Sequence, residues 1–61
     1  MYYKVTFKYS ETTYCTNIAA AKNEDAIRNH YKKYEILNIS EANDYDIKDA
    51  KRKGMPIVNC N

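Results

Sequence analysis

The sequence predicts a single small α+β domain of residues 1–61, in which helices pack on one face of an antiparallel sheet. Three observations support this prediction: an opening segment with strict two-residue alternation, two capped amphipathic segments typical of helices, and only one glycine and one proline in 61 residues. The expected element order is ββαβα, followed by a short C-terminal strand if the last residues pair. No linker or repeat divides the chain, so we expect one domain.

The first strand is predicted from alternation of apolar and polar residues. The apolar set is Met1, Tyr3, Val5, Phe7 and Tyr9, and the polar set between them is Tyr2, Lys4, Thr6 and Lys8. Ser10 to Thr12 is polar and turns the chain into a second strand that ends at Ala20. We expect Tyr14, Ile18 and Ala20 on the inner face, and Thr13, Cys15 and Asn17 on the outer face. The turn lacks an Asn-Gly or Asp-Gly pair, so the pattern does not define its register.

A first helix is predicted from Asn23, a typical N-cap, to about Lys33. Its apolar stripe would lie across the inner face of the hairpin. The stripe consists of Ala26, Ile27, His30, Tyr31 and Tyr34.

The sequence of the second half of the chain predicts a third strand and a second helix. Residues 36–39 form a short segment with two β-branched isoleucines, which favours a strand with Leu37 and Ile39 inward. Asn43 or Ser40 can cap the helix, and Gly54 suits its left-handed C′ position. The apolar face of this helix is small, formed by Ile47 and Ala50 with Tyr45, so we expect the helix to be peripheral or completed by a second subunit. After Pro56, Ile57 and Val58 can add a short edge strand.

Composition excludes several classes of protein. No segment approaches the roughly 20 apolar residues of a membrane span, and no signal peptide is present, so we expect a cytoplasmic protein with no membrane association. In that compartment Cys15 and Cys60 are expected to stay reduced, although the sequence leaves their pairing open. The formal net charge is only +2. Such a balance does not by itself identify a partner.

No residue pattern predicts a catalytic centre, a metal site or a cofactor, so we expect none of the three. His30 has no cysteine or serine at the spacing of a nucleophile pair and is interpreted as a packing or surface residue. Asp44, Asp46 and Asp49 could hold Mg²⁺ for phosphodiester cleavage, but helix capping is the favoured explanation, because aspartate in the first turn stabilises a helix without any metal. A metal-dependent nuclease is therefore the third of three functional interpretations.

Two basic groups are the predicted nucleic-acid-binding residues. One is the outer hairpin face with Tyr2, Lys4 and Lys8, which offers cations and an aromatic ring to phosphates and unstacked bases. The other is the C-terminal end of the second helix, with Lys48, Lys51, Arg52 and Lys53. A solvated sheet face and complementation of the helix dipole are the competing explanations.

Seven tyrosines in so short a chain indicate a contact surface. We expect several of Tyr2, Tyr9, Tyr34 and Tyr45 to be at least partly exposed in a monomer, and self-association would bury them. The protein is therefore expected to be a homo-oligomer, with the alternative that the tyrosines only line the rim of the core.

The hairpin Tyr2 to Tyr9, followed by Ala21-Lys22-Asn23-Glu24-Asp25-Ala26-Ile27 at the helix start, resembles small proteins of phages and mobile elements. Those families include accessory proteins that bind nucleic acid or inhibit host defence machinery, anti-CRISPR proteins among them. The resemblance covers the first half of the chain and implies no individual site residue. The leading interpretation is a non-enzymatic, oligomeric binding protein acting on nucleic acid or on a host protein that handles it. The alternative is a protein-protein inhibitor or assembly module that uses exposed tyrosines.

Overall fold

The computed structural model describes the whole chain, Met1 to Asn61. It contains four strands and two helices in the predicted order, ending in the short C-terminal strand. The elements are β1 (Tyr2–Lys8), β2 (Tyr14–Ala20), α1 (Glu24–His30), β3 (Glu35–Glu41), α2 (Asp44–Arg52) and β4 (Val58–Asn59). The predicted α+β class is therefore confirmed. Neither helix is long and apolar enough to cross a membrane.

The opening strand lies at the centre of the sheet. The strand order is β3-β1-β2-β4, and β1 pairs antiparallel with both neighbours. The last pair departs from the expected antiparallel sheet, because β4 runs parallel to β2, opposite Ala19 and Ala20. The sheet is therefore mixed, and β4 reaches its position by a crossover after α2.

The inner face of the sheet carries the core, and β1 supplies its middle as the alternation predicts. Tyr3, Val5 and Phe7 are buried there with Ile27 and Tyr31 of α1. Val5 and Ile27 are completely inaccessible to solvent. Burial of this stripe against β1 is the main hydrophobic stabilisation of the fold.

The two faces of β2 are the reverse of those expected. Val5 lies opposite Asn17 and Lys4 lies opposite Ile18, so Asn17 is on the inner face and Ile18 on the outer face. Cys15 likewise packs on the inner core, whereas Tyr14 is 59% exposed. The loop determines this register, because the amides of residues 9 and 10 both donate to the carbonyl of Thr13. A one-residue shift moves every β2 side chain to the other face.

The two helices lie on opposite faces of the sheet, which corrects the expectation that they share one face. α1 packs on the inner face through Ile27 and Tyr31. α2 lies over the outer face, where Ala50 and Ile18 are both buried and line a common groove. The physical reason is the β2 register, because an outward Ile18 provides an apolar surface that Ala50 covers.

Capping residues define the helix ends. The Asn23 side chain accepts from the Ala26 amide at 3.0 Å, and α1 ends at His30, three residues before the expected Lys33. Asn43 caps α2 in a capping box: its side chain accepts from the Asp46 amide, and the Asp46 carboxylate accepts from the Asn43 amide at 3.1 Å. Gly54 has φ of +74°, the left-handed conformation expected after the helix.

A β-bulge in β3 corrects the expected orientation of Leu37. Ile39 lies opposite Val5 and Ile36 opposite Phe7, which leaves Leu37 without a partner on β1. Ile36 and Ile39 pack on the core, and Leu37 is 49% exposed. An extra residue in one strand of a pair produces this change of side-chain direction.

Candidate nucleic-acid interface

The outer sheet face contains the first predicted basic group. Tyr2 is exposed and lies opposite Ala20, while Lys4 and Lys8 are partly exposed and lie opposite Ile18 and Tyr14. Between the two lysines, the hydroxyls of Thr6 and Thr16 are 3.1 Å apart. Lys4 and Lys8 are separated by about 13 Å along an extended strand, a spacing that allows separate contacts to a polyanion.

This face is partly covered, which changes the expectation of an open hairpin surface. Lys4 Nζ lies 3.9 Å from Asp46 Oδ1 of α2, and the Lys4 side chain keeps 43% of its accessible surface. A groove of about 360 Å³ separates the sheet from α2, and Lys4 and Lys53 line it together with Asp46 and Asp49. The two basic groups, which are far apart in the sequence, therefore meet on one side of the molecule.

The α2 basic surface is defined by four exposed cations, two of which have ion pairs. They are Lys48, Lys51, Arg52 and Lys53. Lys53 Nζ lies 3.0 Å from Asp49 Oδ2, and Arg52 also pairs with Asp49. The hydrogen bond from Lys53, followed by that from Arg52, lowers the pKa of Asp49 below its usual value. Lys48 and Lys51 make no ion pair, so their charges are uncompensated.

Tyr45 extends the α2 basic surface and was not among the predicted site residues. The sequence places it beside the apolar face of the helix and also among the tyrosines expected to be exposed, and in the structure it is 70% exposed. It lines a shallow groove of about 190 Å³ with Lys48, Asp49 and Arg52. The spacing Tyr45, Lys48, Arg52 corresponds to i, i+3 and i+7, the helical pattern that could have identified this stripe.

The aspartates considered as a metal site are engaged in other interactions. Asp46 completes the cap of α2 and approaches Lys4, and Asp49 binds two cations. No group of three or more histidine, cysteine, aspartate or glutamate side chains lies close enough to hold a metal ion. These interactions account for Asp46 and Asp49 as parts of the fold.

An aromatic groove lies on the inner side of the sheet, near the end of α1. The Tyr9 and Tyr34 rings are stacked with centroids 5.8 Å apart, and both remain exposed, Tyr9 by 58% and Tyr34 by 37%. Phe7 and Tyr31 lie beneath them, and the groove measures about 310 Å³. The sequence predicts that several of Tyr2, Tyr9, Tyr34 and Tyr45 are exposed, and in the structure all four are.

Polar contacts keep the floor of the aromatic groove in place. The Asn17 amide donates to the Tyr31 hydroxyl at 3.2 Å. Burial raises the pKa of Tyr31, and the Asn17 hydrogen bond partly offsets that increase. His30 is exposed, with its ring 5.0 Å from that of Tyr31, which agrees with a surface histidine.

Both cysteines are free thiols, so the structure contains no Cys15–Cys60 disulfide. Cys15 and Cys60 are half-buried and pack against the core. Burial raises the pKa of Cys60, which disfavours the reactive thiolate.

Comparison of the chain with protein-family models, curated proteins and solved structures finds no match. The functional argument therefore depends on the residues and geometry of this chain.

Proposed function

We propose that this protein is a small, non-enzymatic binding protein that contacts nucleic acid through the outer side of the sheet. The contact residues are Lys4 and Lys8 of β1 together with the α2 basic surface. One observation carries the proposal: α2 lies over the sheet face that bears Lys4 and Lys8, so the cations of β1 and α2 share one side of the molecule. Lys4 and Lys53 line the groove between these elements together with Asp46 and Asp49. Cations gathered on one side of a small domain act together on a polyanion.

The unpaired lysines of this surface are suited to binding phosphates. Lys8, Lys48 and Lys51 make no ion pair. They can neutralise phosphates without first breaking an internal salt bridge. Exposed Tyr45 offers a ring on which an unpaired base can stack beside Lys48. This combination fits single-stranded nucleic acid with little sequence preference.

The biological setting is part of the same proposal. A cytoplasmic accessory protein of a phage or mobile element, as the hairpin resemblance implies, would meet nucleic acid directly. It would also meet host proteins that process nucleic acid. The oligomeric state belongs to this proposal as well, since the exposed tyrosines would be covered in an assembly.

A salt titration tests the proposal. Binding of a fluorescently labelled single strand of about 20 nucleotides is followed by anisotropy at about 50 mM and about 200 mM salt. Three uncompensated cations predict a slope of about −2 for log K against log salt, or about twentyfold weaker binding at the higher concentration. Absence of binding at the lower salt concentration would refute a nucleic-acid function.

A second candidate function is recognition of a protein through the aromatic groove. The stacked and exposed pair of Tyr9 and Tyr34 favours it, because aromatic side chains at protein interfaces supply contact area at low entropic cost. If copies of this chain associate through this groove, light scattering will show a mass that rises with concentration and is nearly independent of salt. Tyr9→Ser with Tyr34→Ser would abolish that rise, whereas Tyr14→Ser, an exposed tyrosine outside the groove, would not.

A further inference from the structure

The outer edge of β3 is a second surface with the features of an interaction site. β3 is the end strand of the sheet and pairs with β1 alone. It is seven residues long, whereas β4 has only two. Its outward backbone amides and carbonyls therefore form a free template for an added strand.

The sequence of β3 suits strand addition in its middle and is charged only at its ends. Residues 36–40 are uncharged and contain no proline, and the bulge leaves Leu37 half-exposed. Glu35 and Glu41 stand at the two ends, about 20 Å apart in extended backbone. β3 is the only strand that carries net negative charge, in a chain with net charge +2.

Glu35 and Glu41 indicate which kind of strand can pair with the outer edge of β3. If a second copy paired antiparallel over the full strand, Glu35 would lie opposite Glu41 of the copy at both ends, and like charges in that position are destabilising. The inner edge shows the favourable alternative. There β1 pairs with β3, and Lys8 lies opposite Glu35, whereas Glu41 lies opposite Tyr3, so one of the two ends shows an opposite-charge pair.

We propose that the outer edge of β3 takes, as an added strand, an extended segment of another protein that carries lysine or arginine at both ends of an uncharged, β-forming centre. The added strand bonds to the outward backbone groups of β3. Its apolar side chains contact Leu37, and its terminal cations lie beside Glu35 and Glu41. This inference goes beyond the nucleic-acid function and uses a different surface. Either proposal can fail without the other.

Two synthetic peptides with blocked ends test the proposal. Both contain alternating valine and threonine, and they differ only in having lysine or glutamate at each end. Backbone amide NMR of the full chain should show the lysine-flanked peptide shifting the resonances of residues 35–41. The glutamate-flanked peptide should bind about fivefold more weakly, as expected when two terminal charge pairs change sign.

Variants of the chain make the test specific. Glu35→Lys with Glu41→Lys should reverse the preference between the peptides, and Leu37→Lys should weaken both by placing a charge at the centre of the edge. Tyr14→Lys, an equivalent change at an exposed residue of β2, should leave both affinities unchanged. The same spectra report whether each variant is folded.

Three outcomes would overturn the proposal. One is a set of peptide-induced shifts that lies outside β3, and another is equal binding of the two peptides. The third is a dimer of this chain that Leu37→Lys abolishes while neither peptide binds, since that result would assign the edge to a second copy.

Discussion

Removing the two uncompensated lysines of α2 should eliminate most of the electrostatic part of nucleic-acid binding. The variant Lys48→Ala with Lys51→Ala deletes two exposed cations that make no ion pair. Alanine favours helix, and neither side chain is buried, so α2 should remain folded. The change therefore reports on binding and leaves stability nearly constant.

The expected size of the effect follows from counterion release. Each phosphate contact on a single strand contributes about 0.7 to the slope of log K against log salt. At about 0.1 M salt that corresponds to about fivefold in affinity per contact. Loss of two of three contacts should weaken binding about 25-fold and reduce the slope from about −2 to about −0.7.

Fluorescence anisotropy over a range of salt concentrations measures both quantities. The matched control is Lys32→Ala with Lys33→Ala, which removes the same net charge from exposed positions just after α1, the helix on the other face. If the control loses as much affinity as the α2 variant, binding depends on net charge alone. That result would refute the assignment of the interface to the outer side.

Three further predictions concern charge, packing and pH. Asp49→Asn should release Arg52 and Lys53 from their shared carboxylate, so nucleic-acid affinity should rise by about fivefold or more and the slope of log K against log salt should become steeper. Unchanged affinity would mean that these cations do not reach phosphate. Ile27→Ala leaves a cavity at a fully buried site and should lower the free energy of unfolding by about 2 to 5 kcal/mol. Because this loss is comparable with the whole stability of so small a domain, far-UV circular dichroism should show a largely unfolded chain at room temperature. Burial raises the pKa of Tyr31, so the contribution of Tyr31 to the free energy of unfolding is complete below pH 10.0, the usual tyrosine value, and is lost as pH rises through the raised folded pKa. Formation of the Tyr31 phenolate near pH 10.0 without unfolding would contradict this prediction.

Local patterns predicted the elements of the fold. Alternation in β1 identified the central strand, and its inward residues are the buried ones. Asn23, Asn43 and Gly54 marked helix ends correctly because capping and left-handed backbone depend on a few neighbouring residues.

Features that depend on register could not be predicted in the same way. The loop between β1 and β2 has no turn dipeptide that determines pairing, so the faces of β2 were assigned wrongly. That error led to the expectation of an inward Ile18, whereas Ile18 lies on the outer face and is covered by α2. The bulge at Leu37 is likewise a property of two paired strands, which the sequence of β3 alone does not reveal.

The residues of the candidate site were easier to predict from the sequence than their positions relative to one another. The cations of β1 and α2 were identifiable from the sequence, but their meeting on one side of the sheet depends on the position of α2. The pairing of Asp49 with Arg52 and Lys53 follows helical spacing and could have been anticipated. The same spacing would have placed Tyr45 beside Lys48.

Mapping the bound nucleic acid onto the chain tests the central claim most directly. Backbone amide NMR of the full protein, recorded with increasing amounts of a short single strand, reports which residues sense the ligand. We predict that the largest shifts occur in α2 from Tyr45 to Arg52 and around Lys4 and Lys8, on the outer side. Shifts confined to the aromatic groove around Tyr9 and Tyr34, or no shifts at low salt, would contradict the account.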